Sequence, residues 1–270
     1  MATDEPTLSS TLRIAVFIDY ENLALGIRQE KFEQFRLDLV LDRLVEKGKL
    51  MFMRAYCDWS RFRTEKHALH EANIELIDIP KKRMSGKNSA DIRMVVDALD
   101  LALTRDHVDA FALLTGDSDF SPLVAKLCEH DKYVIGLGVK NSSSDLLVNI
   151  CDEFIYYDDI VMDSRRPALK VAKGSEKQAP LFELVSDAVD ALMRENHNVI
   201  WGSMVKQQIK RKRPSFSERS FGFRTFSEAL EASRKSGLID LERDKRSGGY
   251  MITYLNDTTP TQEEGARRGR

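Results

Sequence analysis

One apolar run near the start of the chain limits the fold more than any other segment. Residues 12–22 read LRIAVFIDYEN, and six of the seven residues from Ile14 to Tyr20 are apolar or aromatic. Such a run is typical of a strand that is covered on both faces, as in a parallel sheet. Burying the Asp19 carboxylate is costly unless a metal ion or hydrogen-bond donors lie nearby. Because ligands bind beyond the carboxyl ends of strands in open α/β sheets, we expect a site at Asp19.

Strand-like and helix-like runs alternate as far as residue 160. Further strands are predicted at 50–56, 73–79, 109–114, 133–137 and 154–157, with helices between them. This order predicts a doubly wound α/β domain with a parallel sheet.

The helix predicted from Asp91 to Leu103 carries an apolar stripe that we expect to face the sheet. The stripe consists of Ile92, Val95, Val96, Leu99, Ala102 and Leu103. This phase places Asp91 at the edge of the stripe, where its carboxylate can lean toward the sheet crevice. It leaves Asp97 on the opposite side, in solvent.

The composition changes after residue 162. Residues 163–180 are basic, contain two prolines and a glycine and show no periodicity, which is typical of a linker. From Leu181 the pattern predicts three helices and a terminal pair of strands, the layout of a winged helix-turn-helix. The predicted organisation is a polar tail at 1–11, an α/β domain at 12–162, a basic linker at 163–180, a winged-helix domain at 181–256 and a polar tail at 257–270.

Bulk properties exclude several classes of protein. Apolar residues make up 42% of the 270 residues and charged residues 31%, values that are ordinary for a soluble globular protein. The three cysteines form no CxxC pair, which indicates neither a disulfide framework nor a structural zinc site. The amino terminus has no secretory pattern and no segment has the apolar length of a membrane span, so we expect a soluble cytoplasmic protein.

Four acids are expected to converge at one edge of the sheet: Asp19, Asp91, Asp117 and Asp119. Two carboxylates about 4–5 Å apart repel by roughly 3–4 kcal/mol at an effective dielectric near 20. A hard divalent cation such as Mg²⁺ or Mn²⁺ would remove this repulsion, and it would favour phosphodiester hydrolysis by acidifying a water and stabilising phosphate charge. Taken singly, the acids also suit a helix dipole or a turn, and only their convergence favours a metal site.

Three separated motifs carry a family resemblance. FIDYEN, NSADIRMVVDALDLA and LLTGDSDFSPLV occur in this order between Ile14 and Asp158. Together they resemble the NYN family of PIN-like ribonucleases, in its LabA-like branch. The resemblance implies a Rossmann-like PIN fold and a metal-dependent endoribonuclease that uses Mg²⁺ or Mn²⁺. It further implies that the four acids bind the metal and that Asn22 helps to position substrate or metal.

The second domain carries a resemblance of its own. LFELVSDAVDAL and KRKRPSFSERSFGFRTFSEAL resemble the LOTUS domain, also called OST-HTH, a winged-helix module associated with RNA and RNA-processing partners. The resemblance implies RNA as a partner and leaves a protein partner open.

Two basic groups are candidates for RNA contact. One is the loop that contains Lys81, Lys82, Arg83 and Lys87, and the other is the helix end that contains Lys206, Lys210, Arg211, Lys212 and Arg213. Neutralising phosphates gives salt-dependent and largely sequence-blind affinity. A solvated loop explains the first group equally well, and cations at a helix carboxyl end suit its dipole without a ligand.

The favoured function is therefore a metal-dependent endoribonuclease with an RNA-binding winged-helix module. A catalytically weak RNA-binding or regulatory adaptor is the first alternative. A phosphatase on the same sheet is the second, although Asp19 lacks the second aspartate two residues on that an aspartyl nucleophile would have. The natural RNA, the number of metals and homodimerisation are left open by the sequence.

Overall fold

The structure is a computed structural model that describes residues 11–80, 88–164, 178–195, 199–244 and 248–254. The chain divides into two compact units, Met1–Arg166 and Pro167–Arg270. Among the residues described, no helix is both long enough and apolar enough to span a bilayer.

A six-stranded sheet forms the centre of the first unit. Its strands are β1 (Leu12–Asp19), β2 (Gly48–Cys57), β3 (Glu75–Asp78), β4 (Ala110–Leu114), β5 (Tyr133–Gly138) and β6 (Glu153–Tyr156). Their spatial order is β3-β2-β1-β4-β5-β6, and every neighbouring pair is parallel. The predicted doubly wound α/β fold is confirmed, with β1 beside β4 where the direction of strand order reverses.

Helices cover both faces of this sheet. They are α1 (Tyr20–Gln29), α2 (Leu37–Lys47), α3 (Lys66–Glu71), α4 (Ser89–Thr104), α5 (Ser121–Glu129), α6 (Asp145–Ile150) and α7 (Tyr157–Ser164). Ile14, Val16 and Ile18 of β1 join the core under α1, α2, α3 and α7, whereas Ala15 and Phe17 join the core under α4, α5 and α6. Burial on both faces explains why the apolar run of β1 is uninterrupted.

The apolar stripe predicted for α4 is wrong in its phase. Met94, Ala98, Leu101 and Ala102 are the buried residues of this helix, whereas three members of the predicted stripe, Ile92, Val96 and Leu103, are exposed. Apolar side chains occupy two adjacent faces of α4, and the sheet takes the face with the small alanines.

Asp97 also differs from its predicted position in solvent. Its side chain is only 13% exposed and accepts hydrogen bonds from the Tyr56 hydroxyl at 3.0 Å and from Nε of Arg93 at 2.9 Å. The changed phase of α4 turns this carboxylate toward β2, where the tyrosine hydroxyl offers a partner.

The second unit contains three helices and a small antiparallel sheet. Its elements are α8 (Ala179–Arg194), β7 (Ile200–Trp201), α9 (Gly202–Lys212), α10 (Phe226–Lys235), β8 (Ile239–Arg243) and β9 (Tyr250–Tyr254). The sheet order is β7-β9-β8, so β7 adds a third strand to the predicted terminal pair. A single apolar core, which includes Leu181, Val205 and Leu230, joins the three helices to this sheet.

Candidate functional site

The carboxyl ends of β1 and β4 open into a cavity of about 300 Å³. Ile18 pairs with Leu114, so Asp19 and Thr115 follow at the same level of the sheet edge. The residues that line the cavity are Asp19, Glu21, Asn22, Leu25, Asp58, Ile79, Pro80, Asn88, Ser89, Ala90, Asp91, Asp117 and Asp119. The structure therefore brings together all five residues that the sequence predicted for the catalytic site.

Asp19 lies at the inner end of this cavity. Its side chain is 7% exposed, and it caps α1 because Oδ1 accepts the Asn22 backbone N–H at 3.2 Å. Burial raises the pKa of Asp19 to about 7, and the negative charges of Asp91 and Asp117 add to this rise. The hydrogen bonds from Asn22 and Thr115 act in the opposite direction but do not offset it.

Thr115 connects two of the acids, a role that the sequence reasoning missed. Its buried hydroxyl donates to Oδ2 of Asp19 at 3.1 Å and accepts the Asp117 N–H at 3.2 Å. The sequence showed Thr115 only as a turn residue. Its place immediately after a strand that neighbours β1 is the signal that could have linked it to Asp19.

Asn22 ties α1 to the turn after β4. Its Oδ1 accepts the Gly116 N–H at 2.9 Å. Gly116 has no room for a side chain, since a Cβ there would lie 2.5 Å from the Ser142 carbonyl oxygen. The side-chain carbonyl of Asn22 is thus engaged inside the protein, which fits a positioning role for this residue. Direct contact of Asn22 with substrate or metal stays a prediction.

The other acids come from two further elements. Asp117 caps the short 3₁₀ helix Ser118–Phe120, and its Oδ1 accepts the Asp119 N–H at 3.0 Å. Asp91 lies in the first turn of α4 and also lines the cavity.

Two lining acids were not predicted. Glu21 forms an ion pair with Arg61, and Oδ1 of Asp58 accepts a hydrogen bond from the Ser60 hydroxyl at 2.6 Å. Glu21 lies in the first turn of α1, whereas Asp58 directly follows β2 and so has the same relation to its strand as the predicted acids have to theirs.

The chemistry of the lining fits a hard cation. Six carboxylates line the cavity, and no lysine, arginine or histidine does so among the described residues. Among the described residues, no three aspartate, glutamate, histidine or cysteine side chains lie close enough together to enclose a metal ion. The carboxylates of the lining are of the ligand type that Mg²⁺ prefers, and this ion is commonly bound through one or two carboxylates with waters and substrate phosphates completing its shell.

The first predicted basic group falls outside the described residues. Lys81, Lys82, Arg83 and Lys87 belong to the segment between Pro80 and Asn88. Pro80 and Asn88 themselves line the cavity.

The members of the second basic group differ in their contacts and in their exposure. Lys206 is engaged within its own unit, because Nζ donates to Oε1 of Glu218 at 2.9 Å and lies over the Phe226 ring. Arg211 is partly buried, which lowers the pKa of its guanidinium, and it donates to Oε1 of Gln208. Lys210 and Arg213 are exposed and Lys212 is half-buried. The exposed pair is therefore the part of this group that solvent-side ligands can reach.

Comparison with known proteins gives matches for both units. The family model described as the NYN domain matches residues 13–159, and that of the OST-HTH/LOTUS domain matches residues 180–249. An uncharacterized protein of Methanocaldococcus jannaschii is 33% identical over 145 residues, which are 53% of this chain and 54% of that protein. The chain thus spans about half the length of this curated relative.

A solved structure shares the fold of the first unit. It is a protein of unknown function from Vibrio parahaemolyticus, 24% identical, with a TM-score of 0.50, and the match covers 57% of this chain and 98% of that one. At this level of identity the likeness concerns the fold alone.

Proposed function

Since the chain belongs to the NYN domain family and carries a C-terminal OST-HTH/LOTUS domain, we propose that it is a metal-dependent endoribonuclease whose winged-helix unit binds RNA. The NYN domain belongs to the PIN-like nuclease superfamily, and the chain is accordingly an RNA-related, nuclease-like protein. The observation that carries the finer proposal is the buried Asp19 carboxylate, whose pKa rises to about 7 beside Asp91 and Asp117. A carboxylate in this position favours binding of a compensating cation.

The residues of the cavity have distinct roles in this proposal. Asp19, Asp91, Asp117 and Asp119 are the carboxylates that would hold a Mg²⁺ or Mn²⁺ ion, either directly or through its waters. Thr115 orients Asp19 and the Asp117 backbone at once. Asn22 fixes the Gly116 turn against α1, so that Asp117 keeps its place relative to Asp19.

When bound, the cation lowers the pKa of a coordinated water and stabilises negative charge on the scissile phosphate. The chain itself contributes the carboxylates that attract the ion and the hydrogen bonds that fix them before substrate arrives. Such preorganisation of charged groups is a major part of enzymatic rate enhancement.

Labelled single-stranded RNA with Mn²⁺ tests the proposal. The wild-type chain should cleave it, and Asp117→Asn should lower the rate by about 10²-fold or more, a loss typical for a charge that stabilises the transition state. Asp159→Asn is the matched control, because Asp159 is an exposed acid on α7 outside the cavity lining. Equal cleavage by wild type and Asp117→Asn would refute the site.

An RNA without ends distinguishes endonucleolytic from exonucleolytic cleavage. A circular RNA should be linearised by the wild-type chain with Mn²⁺ and stay intact with EDTA. Cleavage of linear RNA together with an intact circle would keep the metal site but replace the endonuclease by an exonuclease.

A second candidate function is an RNA-binding regulator with little turnover. It is favoured by the exposed cations Lys210 and Arg213 of the second unit, which can bind RNA whether or not the first unit cleaves it. This candidate predicts RNA binding that survives EDTA, with no cleavage under Mg²⁺ or Mn²⁺.

A further inference from the structure

The outer face of α4 is apolar although it lies in solvent. Ile92 is 63% exposed, Val96 55% and Leu103 60%, and these are three of the five most exposed large apolar side chains in the described part of the chain. Half-buried Leu99 lies between Val96 and Leu103 along the helix. Contiguous apolar surface of this kind usually marks an interaction site.

The spacing of these residues is that of a helix-pairing seam. From Ile92 the next members follow after four, three and four residues, at Val96, Leu99 and Leu103. A repeat of 3.5 residues with Ile, Val and Leu at the seam is the pattern by which one helix packs against another. We call Ile92, Val96, Leu99 and Leu103 the α4 seam.

The charges beside the α4 seam favour a second copy of α4 as the partner helix. Arg93 and Asp100 are both exposed, lie seven residues apart and flank the same edge of the α4 seam. Nε of Arg93 donates to Asp97 of its own helix, and the rest of its guanidinium is the part that would meet a partner. On the other edge, Ala102 belongs to the core of the first unit and half-buried Val95 packs against that core. In an antiparallel pair of identical helices the same edge of each meets the other, so Arg93 of one copy faces Asp100 of the second, and the reverse contact is made as well.

We propose that two copies of this chain associate through antiparallel pairing of their α4 seams. Ile92 packs against Leu103 of the second copy and Val96 against Leu99, with two Arg93–Asp100 ion pairs beside them. The contact is isologous, as a two-fold axis requires. A seam of four apolar side chains per copy is small for a specific interface, so the dimer should be weak and depend on protein concentration.

The pairing sets the relation between the two cavities without depending on what they catalyse. Asp91 lies at one end of α4, so the two Asp91 residues of the dimer lie on the order of 20 Å apart along the helix axis. Each cavity keeps its own lining, because the α4 seam contains none of the lining residues.

Sedimentation velocity of the full chain, from about 1 to about 200 µM, tests the association. The wild type should shift from monomer to dimer, and Val96→Glu should stay monomeric with an unchanged circular dichroism spectrum, since this side chain is exposed. Met162→Glu is the matched control, because Met162 is 68% exposed on α7, away from the α4 seam, and this variant should dimerise normally. A wild type that is monomeric throughout, or a dimeric Val96→Glu, would overturn the proposal.

Charge exchange tests the antiparallel register. Arg93→Glu alone and Asp100→Arg alone each place like charges opposite one another in the homodimer, so each variant should lose self-association at least tenfold. Mixed together they restore two opposite-charge pairs and should form a heterodimer. Because both variants must be folded to pair, failure of the mixture to associate while each chain keeps its wild-type melting temperature would reject this register.

Discussion

The Asp19 carboxylate lies where its own negative charge destabilises the fold. Its pKa is raised from the ordinary value near 3.8 to about 7, with burial as the first cause. A group whose pKa is higher in the folded than in the unfolded state contributes stability below its ordinary pKa and loses that contribution as pH rises through the folded value. The stability contributed by the protonated Asp19 side chain is therefore lost between about pH 4 and about pH 7.

We expect the unfolding free energy of the wild type in EDTA to fall between about pH 4 and about pH 7. The shift in pKa corresponds to on the order of 4 kcal/mol over the whole window. Asp19→Asn removes the titrating group and should abolish this fall in urea denaturation measured at a series of pH values.

Mn²⁺ should reverse the fall, because a cation binds the ionised carboxylate in competition with the proton. It should raise the melting temperature of the wild type more at pH 8 than at pH 6, and that of Asp19→Asn much less. Asp159→Asn should behave like the wild type. The same pH slope in Asp19→Asn and the wild type would show that Asp19 is not the source.

Thr115 offers a second test at a single residue. Thr115→Val keeps the shape of the side chain but removes the hydroxyl that serves both Asp19 and the Asp117 N–H. A buried polar group left without its partner costs about 1–3 kcal/mol, and the unfolding free energy should fall by that amount.

The control for this substitution is Thr104→Val, at an exposed hydroxyl that bonds only the Asp100 carbonyl. It should change the unfolding free energy by less than about 0.5 kcal/mol. Equal effects of the two substitutions would mean that the Thr115 hydroxyl does not hold the site together.

Among single residues, the sequence predicted those whose position follows from a strand. Asp19 and Asp117 were found because each follows a long apolar run at the same sheet edge. Glu21 was missed because it lines the cavity from a helix, whereas Asp58 directly follows β2 and would have been found had the same rule been applied to that strand. Thr115 was missed because its importance lies in a contact with β1, ninety-six residues earlier in the chain.

At the scale of elements, the fold class could be predicted and the phase of α4 could not. Alternation of strands and helices has few solutions in a parallel sheet, so the α/β fold followed from the pattern. The phase of α4 depends on which of two apolar faces packs more closely on the sheet. Met94, Ala98 and Leu101 lie on the face that packs on the sheet, and Ile92 and Val96 do not. Which face is buried depends on three-dimensional packing and cannot be read from hydrophobicity alone.

An ion pair ties the start of β1 to the residue before β4. Nε and Nη2 of Arg13 each donate to Asp109 at 2.8 Å, and the Arg13 side chain lowers the pKa of Asp109. A carboxylate whose folded pKa is lowered contributes stability above its unfolded pKa and loses it as pH falls. Asp109→Asn should therefore lower the melting temperature at pH 7.

The difference between Asp109→Asn and the wild type should shrink below about pH 4, where the wild-type carboxyl group also becomes neutral. Both side chains are partly exposed, so the effect should be modest and should decrease at high salt. Asp106→Asn, at an exposed acid in the same turn, should melt like the wild type throughout. A pH-independent difference for Asp109→Asn would assign the loss to the hydrogen bonds rather than to the charge.

At the scale of the whole molecule, the two units divide the proposed work. The acids that would hold the ion all lie in the first unit, whereas the described cations proposed for RNA contact all lie in the second. Removing one function should consequently leave the other measurable. Asp117→Asn should keep wild-type affinity for RNA while losing cleavage.

The salt dependence of RNA affinity tests the role proposed for the second unit. Lys210 and Arg213 are exposed at the carboxyl end of α9, so Lys210→Gln with Arg213→Gln should weaken binding to single-stranded RNA of any sequence. Each lost phosphate contact should reduce the slope of log affinity against log salt by about 0.7, and the pair by roughly twice that value. Fluorescence anisotropy with a labelled oligonucleotide, from low to moderate salt in EDTA, measures this slope without cleavage.

Lys235→Gln is the matched control, because Lys235 is an exposed cation at the carboxyl end of α10 in the same unit. It removes one positive charge from the winged-helix unit but none from α9, and its slope should equal that of the wild type. If Lys235→Gln lowered the slope as much per charge as the α9 pair, affinity would follow the net charge of the unit. A defined contact at the end of α9 would then be excluded, even with cleavage by the first unit intact.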